Sequence, residues 1–154
     1  MKKFKIKSFC KINLTLRVIK RLKNDYHKIQ SLVTFCNIHD DILITKIHSP
    51  NDKIFFSGKF NKGINNKNNT ITKLLYLLRK IKVFKNQYFK INIKKNIPHG
   101  SGLGGGSSNA ATLLKFFNSN MNLRFNKNQL RKIANKIGQD TTISLFKKKH
   151  INFW

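Results

Sequence analysis

The sequence predicts an α+β fold in which mostly antiparallel strands come first and helices cluster later in the chain. Residues 4–18 alternate apolar and polar side chains, which is typical of a strand. Apolar residues recur at helical spacing after residues 69, 109 and 126, which predicts three helices. The length of 154 residues and a hydrophobic content of 40% fit one domain with a modest core.

The first strand is predicted to be half-buried, because apolar side chains occupy most of its even positions from Phe4 to Val18. Ser8 and Phe9 interrupt the alternation, so we expect a bend between Ser8 and Cys10. Residues 21–25 are polar and predict a turn. Further strands are expected at 29–38, 41–47 and 53–57, with breaks at 37–40 and 50–52.

Two helices are predicted on either side of a glycine-rich segment. After a polar loop at 59–69, five apolar residues share one helical face: Ile71, Leu74, Leu75, Leu78 and Ile81. The last helix is predicted at 126–137, where Asn126 is the expected N-cap and Gly138 the expected stop. Asp140 follows that stop, and a helix N-cap is an ordinary structural role for an aspartate in this position.

Composition restricts the classes of protein that the chain can belong to. No apolar run approaches the ~18 residues that a membrane span requires, and residues 1–4 lead into a strand instead of an apolar signal core, so a cytoplasmic location without membrane contact is expected. The two cysteines, Cys10 and Cys36, lie in apolar runs and are interpreted as reduced core residues.

The formal net charge of +27 is typical of nucleic-acid-binding proteins. However, the lysines are spread along the whole chain and accompany abundant Asn, Ile and Phe, whose codons are rich in A and T. We therefore interpret the charge as base-composition drift, with adventitious binding to RNA and acidic lipids as a consequence and no specific nucleic-acid partner.

The segment 98–117 is the strongest functional signal, because five of the eight glycines of the chain fall within it. A predicted strand at 89–93 precedes it, and a predicted helix follows, with Ser107, Ser108 and Asn109 as candidate caps. Glycines between a strand and a helix N-terminus let backbone N–H groups approach an anion, and the helix dipole adds partial positive charge. A flexible linker is the alternative, but a linker is not expected between a compact strand and a closely packed helix.

The segment does not match two widespread phosphate-binding motifs. A Walker A loop requires lysine before the hydroxyl residue, whereas Gly106 is followed by Ser107 and Ser108. A dinucleotide fingerprint requires an acidic residue ~20 positions further on, and none is present there. The loop therefore indicates phosphate binding of another kind.

The run P-H-G-S-G-L-G-G-G-S-S-N-A-A at 98–111 resembles the phosphate-binding motif of the GHMP small-molecule kinases. Four further stretches resemble motifs of this family in the same order: K-I-N-L at 11–14, Y-H with Q-S-L at 26–32, N-T-I at 69–71 and G-Q-D at 138–140. The chain departs from the family pattern at Phe9 and Cys10 before the lysine, at Asp25 before Tyr26, and at Thr141 and Thr142 after the aspartate.

The resemblance implies the N-terminal ATP-binding domain of these kinases over residues 1–154, a ribosomal-protein-like two-layer fold with a mixed sheet and helices on one side. It implies ATP and Mg²⁺ as cofactors, with no metal ligand assigned in the protein. The implied catalytic residues are Asp140, which orients the acceptor hydroxyl or takes its proton, and Lys11, which stabilises charge on the transferred phosphate. The implied ATP-binding residues are Pro98, His99, Gly100, Ser101, Gly102, Leu103, Gly104, Gly105, Gly106, Ser107 and Ser108, with Asn69 and Lys95 bordering the adenine.

Within the family, the triple glycine and the S-S-N-A-A run resemble a kinase of the non-mevalonate isoprenoid pathway. The implied small-molecule substrate is a cytidine diphosphate derivative of methylerythritol, phosphorylated on its 2-hydroxyl. Asn13, Tyr26 and His27 are implied to bind this substrate, the last two at the cytosine by stacking and hydrogen bonding.

Family members are nearly twice as long as this chain and carry a second, C-terminal domain, which we expect to be absent here. The sequence ends at His150–Trp154 in an alternating pattern that resembles the beginning of a strand. Three functional hypotheses follow: a kinase, active alone or with a separately encoded C-terminal half; a decayed and inactive kinase remnant; and a basic RNA-binding protein that uses the sheet as its platform.

Overall fold

The computed structural model describes residues 2–21 and 27–146, which form four strands and four helices. The elements in chain order are β1 (Lys3–Arg21), β2 (His27–Ile47), β3 (Lys53–Ser57), α1 (Thr70–Lys80), β4 (Tyr88–Lys94), α2 (Gly105–Asn120), α3 (Lys127–Ile137) and α4 (Gln139–Leu145). The sheet has the order β1-β2-β4-β3, in which β3 and β4 are parallel and the other neighbours antiparallel. The predicted α+β class and the mixed sheet are thereby confirmed.

The hydrophobic core lies between one face of the sheet and the helices. Isoleucines at alternate positions of β2 and β4 supply the sheet side, because successive strand side chains point to opposite faces. Three aromatic rings fill the centre: Phe84, Phe89 and Phe117 have centroid separations of 4.9–5.0 Å. α2 is buried along most of its length and is the helix around which the others pack.

β2 is one continuous strand of 21 residues, so the predicted break at 37–40 is wrong. Its partner β1 shifts register near Phe9, Asn13 and Val18, and the two strands remain paired on both sides of each shift. The strand at Lys53–Ser57 has the predicted bounds. The predicted turn at 21–25 falls, after Arg21, outside the described residues, as does the strand-like pattern at 150–154.

The prediction of a half-buried first strand is correct only for the first part of β1. Beyond the first register shift, which follows Phe9, three apolar residues are each more than half exposed: Leu14, Leu16 and Val18. This part of β1 pairs with β2 alone, and residues 13–21 of β1 are all exposed. Alternation therefore identified the strand but not the extent of its burial.

Two details of the helices differ from prediction. Ile81 is the C-cap of α1 and is exposed, because the helix ends before it completes the apolar face. The N-cap of α2 is Gly104, ahead of the predicted caps at 107–109, because a left-handed glycine starts the helix earlier. Within the described residues, no helix is long and apolar enough to cross a membrane.

Candidate active site

A β-bulge in β1 turns Lys11 into the protein. The register shifts between Phe9 and Lys11, and as a result Cys10 and Lys11 are both buried although they are neighbours. The backbone N–H of Lys11 donates to the carbonyl of Leu103 at 2.9 Å, so the strand is joined directly to the glycine-rich loop. The interruption at Ser8 and Phe9 was the sequence signal for this bend.

Lys11 and Asp140 form an ion pair across 129 positions of sequence, with 2.9 Å between Lys11 Nζ and Asp140 Oδ1. The lysine side chain is 4% exposed and the aspartate side chain 44% exposed, so the carboxylate faces solvent while the ammonium is enclosed. Asp140 lies in the first turn of α4, whose N-cap is Gly138. The N-cap role considered for Asp140 is therefore wrong.

The N-terminus of α2 opens beside this ion pair. Gly104, with φ +64°, is in the left-handed region, where glycine avoids the steric cost that other residues meet. A Cβ at this position would lie 3.4 Å from Lys11 Cε and 3.9 Å from Asp140 Oδ2. The glycine thus keeps clear the space between the loop and the two charged side chains.

No side chain caps α2, in contrast to α1 and α3. Asn69 and Asn126 each accept a hydrogen bond from the first turn of the following helix and complete a capping box. At α2 the cap is a glycine without a side-chain hydrogen bond, and the first turn contains no acidic residue. The first-turn N–H groups and the positive end of the helix dipole remain available to an anion.

A cavity of about 450 Å³ lies at this helix terminus. Among the predicted ATP-binding residues, those that line it are Pro98, His99, Gly100, Ser101, Gly102, Gly104, Gly105, Gly106, Ser107, Asn69 and Lys95, and Asp140 also reaches it. Leu103 and Ser108 are not part of the lining. Leu103 binds Lys11 through its carbonyl, and the buried hydroxyl of Ser108 lies 3.2 Å from that of Ser144.

The opposite wall of the cavity comes from the loop before α1 and from the start of that helix. Asn69 caps α1 through its side-chain oxygen, which accepts from the N–H groups of Ile71 and Thr72. The hydroxyl of Thr70 donates to the carbonyl of Gly106 at 2.7 Å. This hydrogen bond ties α1 to the first turn of α2, so the two walls are held at a fixed separation.

Lys95 is buried at the base of the cavity and pairs with Asp40, whose side chain is fully buried. Asp40 also accepts hydrogen bonds from the backbone N–H groups of Asn96 and Ile97 and from the side chain of Asn109. No motif marks Asp40 in the sequence. It follows a strand-like run, as many surface aspartates do, and its burial depends on contacts with residues more than fifty positions away.

The predicted substrate-binding residues are not brought to the cavity by the described structure. Asn13 lies on the exposed part of β1, 3.3 Å from the hydroxyl of Ser31. His27 pairs with Arg21 at the far end of the ribbon, about 30 Å from Lys11 at the rise of ~3.3 Å per strand residue. Tyr26 lies outside the described residues.

The two cysteines are unbonded thiols on neighbouring strands, with 3.4 Å between their sulfur atoms. Cys10 is buried as predicted, whereas Cys36 is only partly buried. Burial, with the neighbouring Cys36 thiol adding to it, raises the pKa of Cys10 to about 11. Cys10 therefore stays protonated at neutral pH, although it precedes Lys11 in the chain.

Comparison with known proteins identifies a family and similar curated proteins. The family description "GHMP kinases N terminal domain" matches residues 69–148. The 4-diphosphocytidyl-2-C-methyl-D-erythritol kinase of Pelagibacter ubique (strain HTCC1062) is 45% identical over 145 residues, which are 94% of this chain and 51% of the relative. The chain thus spans about half the length of the curated relatives it matches.

Solved structures share the fold. A crystal structure of 4-(cytidine 5'-diphospho)-2C-methyl-D-erythritol kinase aligns with a TM-score of 0.71 and 24% identity, covering 92% of this chain and 48% of the other. The structure of MDDEF in complex with MVAPP, AMPPCP and magnesium aligns with a TM-score of 0.57 and 17% identity, covering 91% and 42%. These likenesses establish the architecture of the chain.

Proposed function

The chain belongs to the GHMP kinase family, and on that premise we propose that it binds ATP and acts as a small-molecule kinase. The proposed reaction transfers the γ-phosphate of ATP to the 2-hydroxyl of 4-diphosphocytidyl-2-C-methyl-D-erythritol, a step of the non-mevalonate isoprenoid pathway. The acceptor is proposed from the names of the similar kinases. Residues 1–154 are proposed to be the ATP-binding domain of this activity.

The observation that carries the proposal is the uncapped N-terminus of α2, which opens on the cavity beside the Lys11–Asp140 ion pair. Phosphoryl transfer requires positioning and charge stabilisation more than covalent chemistry by the protein. Free N–H groups suit the phosphates, and the ion pair supplies one carboxylate and one ammonium beside them. The first N–H groups of a helix have no partner within the helix, so a phosphate can accept hydrogen bonds from those at the start of α2 that no side chain caps.

Each member of the ion pair has a proposed role. The hydrogen bond from Lys11 goes to Oδ1 of Asp140 and does not involve Oδ2. Oδ2 can therefore accept the proton of the acceptor hydroxyl or orient that hydroxyl toward the γ-phosphorus. The Lys11 ammonium lies between Asp140 and the glycine-rich loop, where negative charge on the transferred group would be placed. Asn13, Tyr26 and His27 remain proposed contacts for the cytidine end of the substrate.

Magnesium is proposed as the partner of the ATP phosphates. Mg²⁺ in nucleotide sites uses one or two carboxylates together with phosphate oxygens and water. Ser107 lines the cavity and would offer its hydroxyl to the ion, together with phosphate oxygens and water. Asp140 is not assigned to the ion, because its two oxygens face Lys11 and the proposed acceptor hydroxyl. Bound there, the ion would neutralise phosphate charge.

The test is coupled ADP release with Mg-ATP and 4-diphosphocytidyl-2-C-methyl-D-erythritol. Substrate-dependent turnover is expected in the wild type and is expected to fall by at least ~100-fold in Asp140→Asn, the usual scale for loss of general base function. Asp52→Asn is the matched control, because Asp52 also forms an ion pair, with Arg79, but does not line the cavity. Folded protein without turnover would contradict kinase activity of the chain alone.

ATP binding is tested separately by titration calorimetry. Saturable binding is expected for the wild type and not for Gly104→Val, because a β-branched side chain is strained at positive φ and fills the space next to Lys11. Equal binding by Gly104→Val would contradict the placement of the phosphates. Binding that is lost in Gly104→Val would argue against the decayed remnant, and binding without turnover would favour a kinase that needs a separate C-terminal half.

A further inference from the structure

We propose that Asp40 is a positioning residue for the nucleotide, acting through Lys95 and through the backbone that leads into the glycine-rich loop. Asp40 does not line the cavity, whereas Lys95 does. The inference rests on the proposed function, since it concerns how the ATP site is held in shape.

The two carboxylate oxygens of Asp40 have separate partners. Oδ1 accepts from the backbone N–H groups of Asn96 and Ile97, at 2.8 and 2.9 Å. Oδ2 accepts from the ammonium of Lys95 and, at 2.9 Å, from the side-chain amide of Asn109. One oxygen thus fixes the backbone that enters the loop at Pro98, and the other fixes two side chains of the cavity wall.

The position of the Lys95 ammonium is unfavourable without this carboxylate. A Cβ built on Gly105 would lie 3.3 Å from Lys95 Nζ, so the charge lies directly against the first residue of α2. The N-terminus of a helix carries partial positive charge and repels a cation. Asp40 offsets that repulsion and keeps the ammonium at the base of the cavity, where a nucleotide can reach it.

Asn109 supplies an independent indication that the network faces a ligand. Its side chain is 1% exposed, it contributes to the cavity wall, and its Oδ1 has no hydrogen-bond partner among the described residues. The opposite amide orientation would place the Asn109 oxygen against Asp40 Oδ2, and two acceptors would then face each other. The hydrogen bond to Asp40 therefore identifies Oδ1 as the Asn109 atom without a partner. A buried acceptor without a partner costs stability unless a ligand donor satisfies it.

A purely structural role for Asp40 is the alternative explanation. Removing one member of a buried ion pair destabilises a protein, whereas removing both members together is often close to neutral. Asp40→Asn is informative because Asn retains an oxygen for the two backbone N–H groups and turns a donor toward Lys95 and Asn109. The double variant Asp40→Asn/Lys95→Met leaves no unpaired buried charge, so its stability is expected to recover.

The experiment measures Mg-ATP affinity by calorimetry and thermal stability for the wild type, Asp40→Asn, Lys95→Met and the double variant. We expect each single variant to bind ATP about tenfold more weakly, the scale of one charged hydrogen bond, and the double variant to bind no more weakly than Lys95→Met. Asp52→Asn is the control: it loses an ion pair with Arg79 away from the cavity, so its stability should fall while its ATP affinity stays within about twofold of wild type.

The outcomes distinguish a positioning role of Asp40 from a purely structural one, and failure of this inference from failure of the proposed function. Weaker binding by a folded Asp40→Asn, together with a double variant that binds no more weakly than Lys95→Met, supports positioning through Lys95. If Asp40→Asn alone does not fold, the double variant still provides the test. Wild-type affinity in the double variant, or in a folded Asp40→Asn, would overturn the inference and leave the proposed function intact. Absence of saturable ATP binding by the wild type would overturn both, and is seen without any variant.

Discussion

At the scale of single residues, the most unusual feature is a lysine that is enclosed while its aspartate partner faces solvent. The enclosed ammonium depends on Asp140, because a buried charge without a partner is costly. A hydrophobic side chain of similar length at position 11 would avoid the cost of burying a charge. Residues placed for chemistry in this manner commonly reduce stability.

The difference in exposure between Lys11 and Asp140 predicts different effects on stability when each residue is substituted. Asp140→Asn is expected to lower the free energy of unfolding by about 1 kcal/mol, a value kept small by the exposure of the carboxylate. Lys11→Met is expected to leave it unchanged or to raise it. Urea denaturation checks both, with Lys7→Met as a control, because Lys7 is an exposed residue of the same strand. An equal loss in Lys11→Met and Asp140→Asn would contradict the argument.

Cys10 predicts a loss of stability at alkaline pH. Its pKa is about 11 in the folded chain, against an ordinary value of 9.0, so between these values the unfolded chain releases a proton that the folded chain retains. The contribution is present in full below pH 9 and is lost by about pH 11, a change of about 2–3 kcal/mol. Urea denaturation from pH 8 to 11 should show a steeper decline for wild type than for Cys10→Ala. Parallel declines would be the contrary result.

Individual site residues differ in how visible they are in the sequence. Short sequence motifs predicted site roles for Lys11, the glycines and Asp140. The structure places the glycines and Asp140 at one cavity, and Lys11 is paired with Asp140. Asp40 was missed because its importance comes from burial and from partners distant in sequence, which no local pattern records. Leu103 and Ser108 were assigned to ATP by the motif, but their side chains do not line the cavity.

At the scale of elements, side chains cap the N-termini of α1 and α3, whereas α2 and α4 each begin after a glycine that makes no side-chain hydrogen bond. Asn69 and Asn126 form equivalent capping boxes, but only Asn69 lines the cavity. The pair therefore offers matched substitutions at equivalent helix positions, one beside the proposed nucleotide site and one away from it.

Asn69→Ala and Asn126→Ala are each expected to lower the free energy of unfolding by about 1 kcal/mol through loss of the cap. Only Asn69→Ala is expected to weaken ATP binding as well, because it also removes a polar group from the cavity wall. Thermal denaturation and calorimetry on both variants check this. Similar ATP affinities in the two variants would remove Asn69 from the proposed site.

Element boundaries were predictable where local chemistry decides them. Asn126 and Gly138 bound α3 as expected, because both act through hydrogen bonds to neighbouring backbone. The continuity of β2 was not predictable, because pairing with a bulged partner carries the strand through polar residues. The start of α2 at Gly105 was also missed, since its cap depends on a left-handed backbone and not on a capping side chain.

At the scale of the whole molecule, the chain carries a formal net charge of +27 and a site that we propose binds phosphates. Because the basic residues are spread over the whole chain, we expect binding to RNA to be non-specific. The logarithm of the association constant should then fall linearly with the logarithm of salt concentration and show no preference among sequences. Fluorescence anisotropy with two unrelated oligonucleotides checks this. A salt-resistant preference for one of them would instead favour the RNA-binding hypothesis.

The strand order has a consequence for how the chain folds as it is synthesised. β4 is the last in sequence of the described strands, yet it lies between β2 and β3, which do not pair with each other. Until residue 94 has left the ribosome, the nascent chain therefore presents two unfilled strand edges, and α1 has no completed sheet to pack against. Because the glycine-rich segment follows β4 directly, the cavity at the N-terminus of α2 can form only after this insertion.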